Sequence, residues 1–106
     1  MSGETIRFTA PLLMWHSGSH GGIAYVAVEG QAADAISAHE LFRRLELGKR
    51  RGFGSVKVEV QVGASRWSTS AFPQGDGGWF LPVKRAICRA ESLEEGDQVE
   101  IDLKLL

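Results

Sequence analysis

The stretch Val56-Lys57-Val58-Glu59-Val60-Gln61-Val62 alternates four valines with three polar side chains. Successive strand residues point to opposite faces, so a period of two puts an unbroken valine face on a core and turns Lys57, Glu59 and Gln61 to water. Gly63-Ala64 is a glycine-first connection short enough for a tight hairpin, and Arg66 to Phe72 is the expected partner strand. Toward the N-terminus, Ile6, Phe8 and Ala10 alternate with Thr5, Arg7 and Thr9, while Ile23 to Val28 is apolar on both faces, as a central or barrel-wall strand is. Toward the C-terminus, Trp79 to Leu81 reads as a short strand, and Val99, Ile101, Leu103 and Leu105 alternate with Glu100, Asp102 and Lys104.

Two segments break this pattern. From Ala32 to Leu47 the residues Ala38, Leu41, Phe42 and Leu45 recur at i, i+3, i+4 and i+7, the stripe of an amphipathic helix, with Ser37-Ala38-His39-Glu40 as a capping box. Glu40 stands four residues before Arg44, a favourable orientation for a helical ion pair, and Gly48 supplies a left-handed stop. His39 is expected on the solvated side. After Pro82, the residues Val83, Ala86, Ile87 and Ala90 repeat the stripe over two turns and predict a second, short helix. The segments His16 to Gly22 and Pro73 to Gly78 are loops, and Glu94-Glu95-Gly96-Asp97 is a turn. About six strands and two helices are expected, in one mainly β domain spanning 1–106. Closing the sheet on itself hides its edges, so the expected fold is a small closed six-stranded β-barrel with helical plugs. The alternative is an open α+β sheet covered by the longer helix.

Composition narrows the function classes. The chain has 106 residues, 43% of them hydrophobic and 24% charged, which is ordinary for one globular domain. Twelve basic against thirteen acidic residues leave a formal charge of −1, so no net field recruits nucleic acid or an anionic membrane. The balance is nevertheless segregated: residues 43–66 hold seven basic and two acidic side chains, and 91–104 hold six acidic and one basic. A single cysteine, Cys88, excludes an internal disulfide and a cysteine-rich metal site. The start MSGETIRF carries Glu4 where an export signal is basic, and the apolar stretch Pro11 to Trp15 is too short for such a signal, so a cytoplasmic location is expected.

From Gly52 onward the chain carries a connected set of motifs. A strand leads into Trp67, Thr69, Ser70 and Pro73, then Gly75-Asp76-Gly77, then Leu81-Pro82-Val83-Lys84, Arg89, and Gly96-Asp97 with Val99. This set resembles the bacterial domain-of-unknown-function family 1905. Phe8 to Leu12 and Tyr25 to Val28 resemble the family's opening strands more loosely. The resemblance implies a closed six-stranded barrel and no established activity. Cys88 stands where that pattern would carry a branched apolar residue, and the His16 to His20 loop is outside the motif.

The residues support three functional readings. In the first, the chain is a non-enzymatic binding module for a small anionic ligand or a protein partner. The Gly75-Asp76-Gly77 loop would cradle an anion with its backbone N–H groups, Lys84 and Arg85 would complete the charge, and Trp67, Ser70 and Trp79 would line the same barrel mouth. The plainer account of these residues has Asp76 capping a turn, the glycines supplying positive φ, and both tryptophans in the core. In the second, nucleic acid binds Arg43, Lys49, Arg50, Arg51 and Phe53, which join cations to an aromatic; the Leu81 to Leu103 segment also has a rhythm similar to swapped-hairpin transcription factors. In the third, a small enzyme uses Ser70 or Cys88 as nucleophile, although no base can be paired with either from spacing alone. His16 and His20 are four apart, but the glycines and serines between and after them oppose a helix, so no metal site is expected. No phosphate-binding or dinucleotide motif occurs and no cofactor is expected.

Overall fold

The computed structural model of the chain describes residues 5–16, 22–48 and 54–106. In chain order the elements are β1 (Thr5–Pro11), β2 (Leu13–His16), β3 (Gly22–Val28), α1 (Gly30–Leu47), β4 (Val56–Val62), β5 (Ser65–Pro73), β6 (Trp79–Pro82), α2 (Arg85–Ala90) and β7 (Gln98–Leu105). All described ladders are antiparallel, and they order the strands β1-β7-β4-β5-β6-β3-β2.

The valine strand behaves as its period requires. Val56, Val58, Val60 and Val62 are all buried, and Val58 and Val60 are centred between β5 and β7. Gly63 takes φ 57° to turn the hairpin, and Val62 opposes Ser65 across it. β7 contributes Val99, Ile101, Leu103 and Leu105 to the same core, and β1 adds Ala10 with Ile6 and Phe8 partly buried.

The sheet is strongly curled but open, which corrects the expected closed barrel of six strands in favour of the open-sheet alternative. The first stretch of chain supplies both edge strands. It splits at Leu12 into β1 and β2, which pair on opposite margins of the sheet, β1 with β7 and β2 with β3. At the split, Leu12 donates its N–H to Asp97 O at 2.8 Å and accepts from Gly96 N at 2.8 Å, so its backbone bonds to the turn before β7. Leu12 itself is 1% exposed.

α1 buries three residues in the core whereas α2 has only the partly buried Ile87 and Cys88 against it, and both helices differ from the sequence reading. α1 begins at Gly30, preceded by Glu29 as an N-cap that makes no side-chain capping bond, so Ser37 lies mid-helix and no capping box forms. The side of α1 that meets the sheet carries Ala32, Ala33 and Ile36, whereas Leu41, Phe42 and Leu45 are exposed. His39 and Arg43 both donate to the carbonyl of Leu106, at 3.1 and 3.0 Å, so His39 is not on a purely solvated side. The Glu40–Arg44 pair forms at 3.8 Å, and Gly48 closes the helix at φ 75°. α2 starts at Arg85, later than Pro82, because Val83 still belongs to the sheet: its N–H donates to Ala24 O at 2.9 Å.

Candidate functional site

The structure separates the residues that the first reading groups. Trp67 and Trp79 are buried, at 7% and 4% exposure. Trp79 donates its indole N–H to Ser37 Oγ at 2.9 Å, while Trp67 Nε1 has no hydrogen-bond partner among the described residues. Ser70 opposes Lys57 in register and therefore shares the outer face of the sheet, away from the valines. The Gly75-Asp76-Gly77 turn satisfies itself: Asp76 Oδ1 accepts from Gly78 N at 3.0 Å, Gln74 N donates to Gly78 O at 2.9 Å, and Gly77 N donates to Gln74 O at 3.2 Å. Lys84 lies beyond the far end of β6 from that turn, roughly 13 Å along four strand residues. The loop and the lysine do not form one cradle.

Lys84 and Arg85 instead border a cleft of about 510 Å³ where α2 lies over one end of the curled sheet. Its apolar lining comes from Leu12, Met14, Ala24, Val83 and Leu93, with Thr69 from β5 and Cys88 from α2. Three hydrogen bonds fix the frame. Arg85 Nη2 donates to Gly22 O at 3.2 Å and ties α2 to the start of β3. Leu93 N donates to Cys88 O at 2.8 Å and folds the chain back after α2. Glu94 N donates to Asp97 Oδ2 at 2.8 Å and shapes the turn that bonds to Leu12.

The polar margin is two-signed. Lys84 and Arg85 precede and open α2, and Glu94 and Glu95 follow it. No ion pair joins the two sets among the described residues. Cys88 is half-buried and unpaired, and burial pushes its thiol above the ordinary cysteine range despite the opposing effect of nearby Arg85. A thiol shifted this way is mostly protonated near neutrality and is a poor nucleophile there. Ser70 has no hydrogen bond to a histidine or carboxylate among the described residues. Likewise, among the described residues, no three His, Cys, Asp or Glu side chains gather as a metal site.

Of the basic set in the second reading, Arg43 is turned toward Leu106, and Lys49, Arg50, Arg51 and Phe53 lie outside the described residues, as does His20. The cleft residues that sequence reasoning missed are Leu12, Met14, Ala24, Thr69 and Leu93. Nothing in their own periodicity marks them, because each obeys its local pattern and only the split at Leu12 and the fold-back after α2 bring them together. Among the described residues, no helix is long and apolar enough to cross a membrane.

No curated protein matches the chain. The model of the family described as a domain of unknown function, DUF1905, matches residues 8–103, from the middle of β1 almost to the end of β7. That span takes in every element that frames the cleft, and the chain belongs to the DUF1905 family.

Proposed function

We propose that this chain is a non-enzymatic binding module whose cleft beside α2 takes a small molecule with an apolar body and an anionic head. The observation that carries the reading is the pairing of an apolar floor with Lys84 at its margin, a cation for which no hydrogen bond or ion pair occurs among the described residues. Sites for small ligands combine that kind of floor with a few placed polar groups. Arg85 is already held by Gly22 O, so it frames the opening, and Lys84, with His16 on the same lining, is free to meet an anion. The raised thiol of Cys88 supports binding over covalent chemistry. One unpaired cysteine also suits a reducing cytoplasm, the location we propose.

The test is an amide NMR titration with hexanoate, benzoate and phenyl phosphate. Shifts are expected at Ala24, Thr69, Cys88 and Leu93 for at least one probe. Lys84→Ala should weaken that probe about tenfold, or about 1.4 kcal/mol, without altering the rest of the spectrum. Silence at these four amides for all three probes overturns the proposal, and an unchanged affinity in Lys84→Ala removes the lysine from it.

A further inference from the structure

The floor of the cleft has a direction. Leu12, Met14 and His16 stand at every second position and all line it, so the floor runs along one face of β2 and the residue before it. His16 opposes Gly22 in register, and Gly22 O holds Arg85. Val83 donates to Ala24 O, and from there the chain runs toward Gly22, which carries Lys84 to the same end. That end is basic, with His16, Lys84 and Arg85 on the lining. At the other end Leu12 O accepts from Gly96 N, and Glu94 and Glu95 immediately precede that glycine, so the lining there is acidic. Four strand residues separate the two ends, roughly 13 Å of backbone.

We infer that the ligand of this cleft is an extended zwitterion, with its anion at the His16 end and an ammonium group at the Glu94 and Glu95 end, about 10 Å apart. The inference rests on the anion-binding reading above and adds the second charge. Charge complementarity is the first support. The two sets do not neutralise each other, because among the described residues no ion pair joins them. Glu94 is hydrogen-bonded only through its main-chain N–H, to Asp97, so both carboxylates are available to a ligand. An anion with a plain apolar tail would leave them unused and would feel their repulsion. The second support is the surface between the ends. It is apolar, from Leu12, Met14, Ala24 and Leu93, so the chain that joins the two charges is apolar as well. The third is exposure. His16, Lys84, Arg85, Glu94 and Glu95 are all exposed, so each charged head of the ligand keeps its contact with water while the chain lies on the floor.

Amide NMR titrations of the full chain with octanoate and with ω-aminooctanoate, whose extended length is about 10 Å, test this. At low salt ω-aminooctanoate is expected to bind about threefold tighter than octanoate, the scale of an exposed ion pair, and the gain should fade as salt is added. The amides of Glu95 and Gly96 should move with ω-aminooctanoate and stay still with octanoate. In a variant carrying Glu94→Gln and Glu95→Gln the ratio of the two affinities should fall to about one. The shorter ω-aminobutanoate cannot reach both ends and should bind no tighter than butanoate. Equal or weaker binding of ω-aminooctanoate overturns the inference, as does a gain that survives the double substitution or appears equally with the short probe. If octanoate moves Ala24, Thr69, Cys88 and Leu93 and the amine adds nothing, the anion-binding reading stands and only the zwitterion falls. If neither compound moves those amides, both fall.

Discussion

Trp79 on β6 donates its indole N–H to the hydroxyl of Ser37 in the middle of α1, across 2.9 Å. The bond joins two elements 42 residues apart in the chain, and it gives Ser37 a partner in mid-helix. Trp79 is 4% exposed, so removing the hydroxyl leaves a buried donor without an acceptor. Ser37→Ala is expected to cost about 1–3 kcal/mol in urea unfolding. Trp79→Phe removes donor and hydrogen bond together, so adding Ser37→Ala to it should cost much less than in the native background. Equal costs in the two backgrounds would show that the bond does not form in solution.

The same helix shows where sequence reading stops. Its stripe Ala38, Leu41, Phe42 and Leu45 is correctly helical, yet periodicity reports which residues share a face and not which face is covered. What decides the matter is the neighbour: the helix buries Ala32, Ala33 and Ile36 in the same core as Val28 and Trp79. Strands were legible because valines at every second position have one place to go. The split at Leu12 was not, since a chain changing ladder partners keeps its alternating pattern. The candidate site was legible at Lys84, Arg85 and Cys88, and the rest of the cleft depends on the contacts that Leu12 and Leu93 make after folding.

Gly63 carries a constraint of two kinds. Its φ of 57° lies in the left-handed region, and a Cβ there would collide with Glu91 Oε1, whose carboxylate accepts the Ser65 hydroxyl at 2.6 Å. Gly63→Ala should therefore cost about 1–2 kcal/mol from the backbone alone. Displacing Glu91 adds to it. Gly63→Asn, which tolerates that φ better, should cost less than Ala if backbone strain dominates, and as much or more if displacement of Glu91 dominates. Urea midpoints of the two variants, with Glu91→Gln as the reference, distinguish these causes.

Arg7 and Asp102 oppose each other in the β1–β7 register and pair through Nε at 2.7 Å and Nη2 at 3.4 Å. The hydrogen bond to Asp102, followed by its charge, raises the Arg7 guanidinium above its ordinary value. Arg7 is nevertheless 72% exposed at its side chain, where solvent and salt weaken a pair. Asp102→Asn should lower the melting temperature less than Ser37→Ala does, and the difference from wild type should shrink as salt is added. Hydrogen exchange should quicken mainly at β1, whose described ladder is to β7 alone. A loss independent of salt would assign the effect to packing instead of charge.

Cys88 gives the prediction that bears most directly on function. Burial raises its thiol, and the charge of Arg85 only partly opposes this. The folded thiol therefore holds its proton to higher pH than the unfolded one. Its contribution to stability is fully present below the unfolded pKa and is lost as pH rises through the folded pKa. Alkylation by iodoacetamide should accordingly show a pH midpoint above that of the urea-unfolded chain. Arg85→Ala should move the folded midpoint higher still, because it removes the opposing charge. A ligand seated in the cleft should slow alkylation at every pH, since Cys88 lines it. A folded midpoint below the unfolded one would reverse the assignment: it would make Cys88 an activated thiolate and return the enzyme reading to the front.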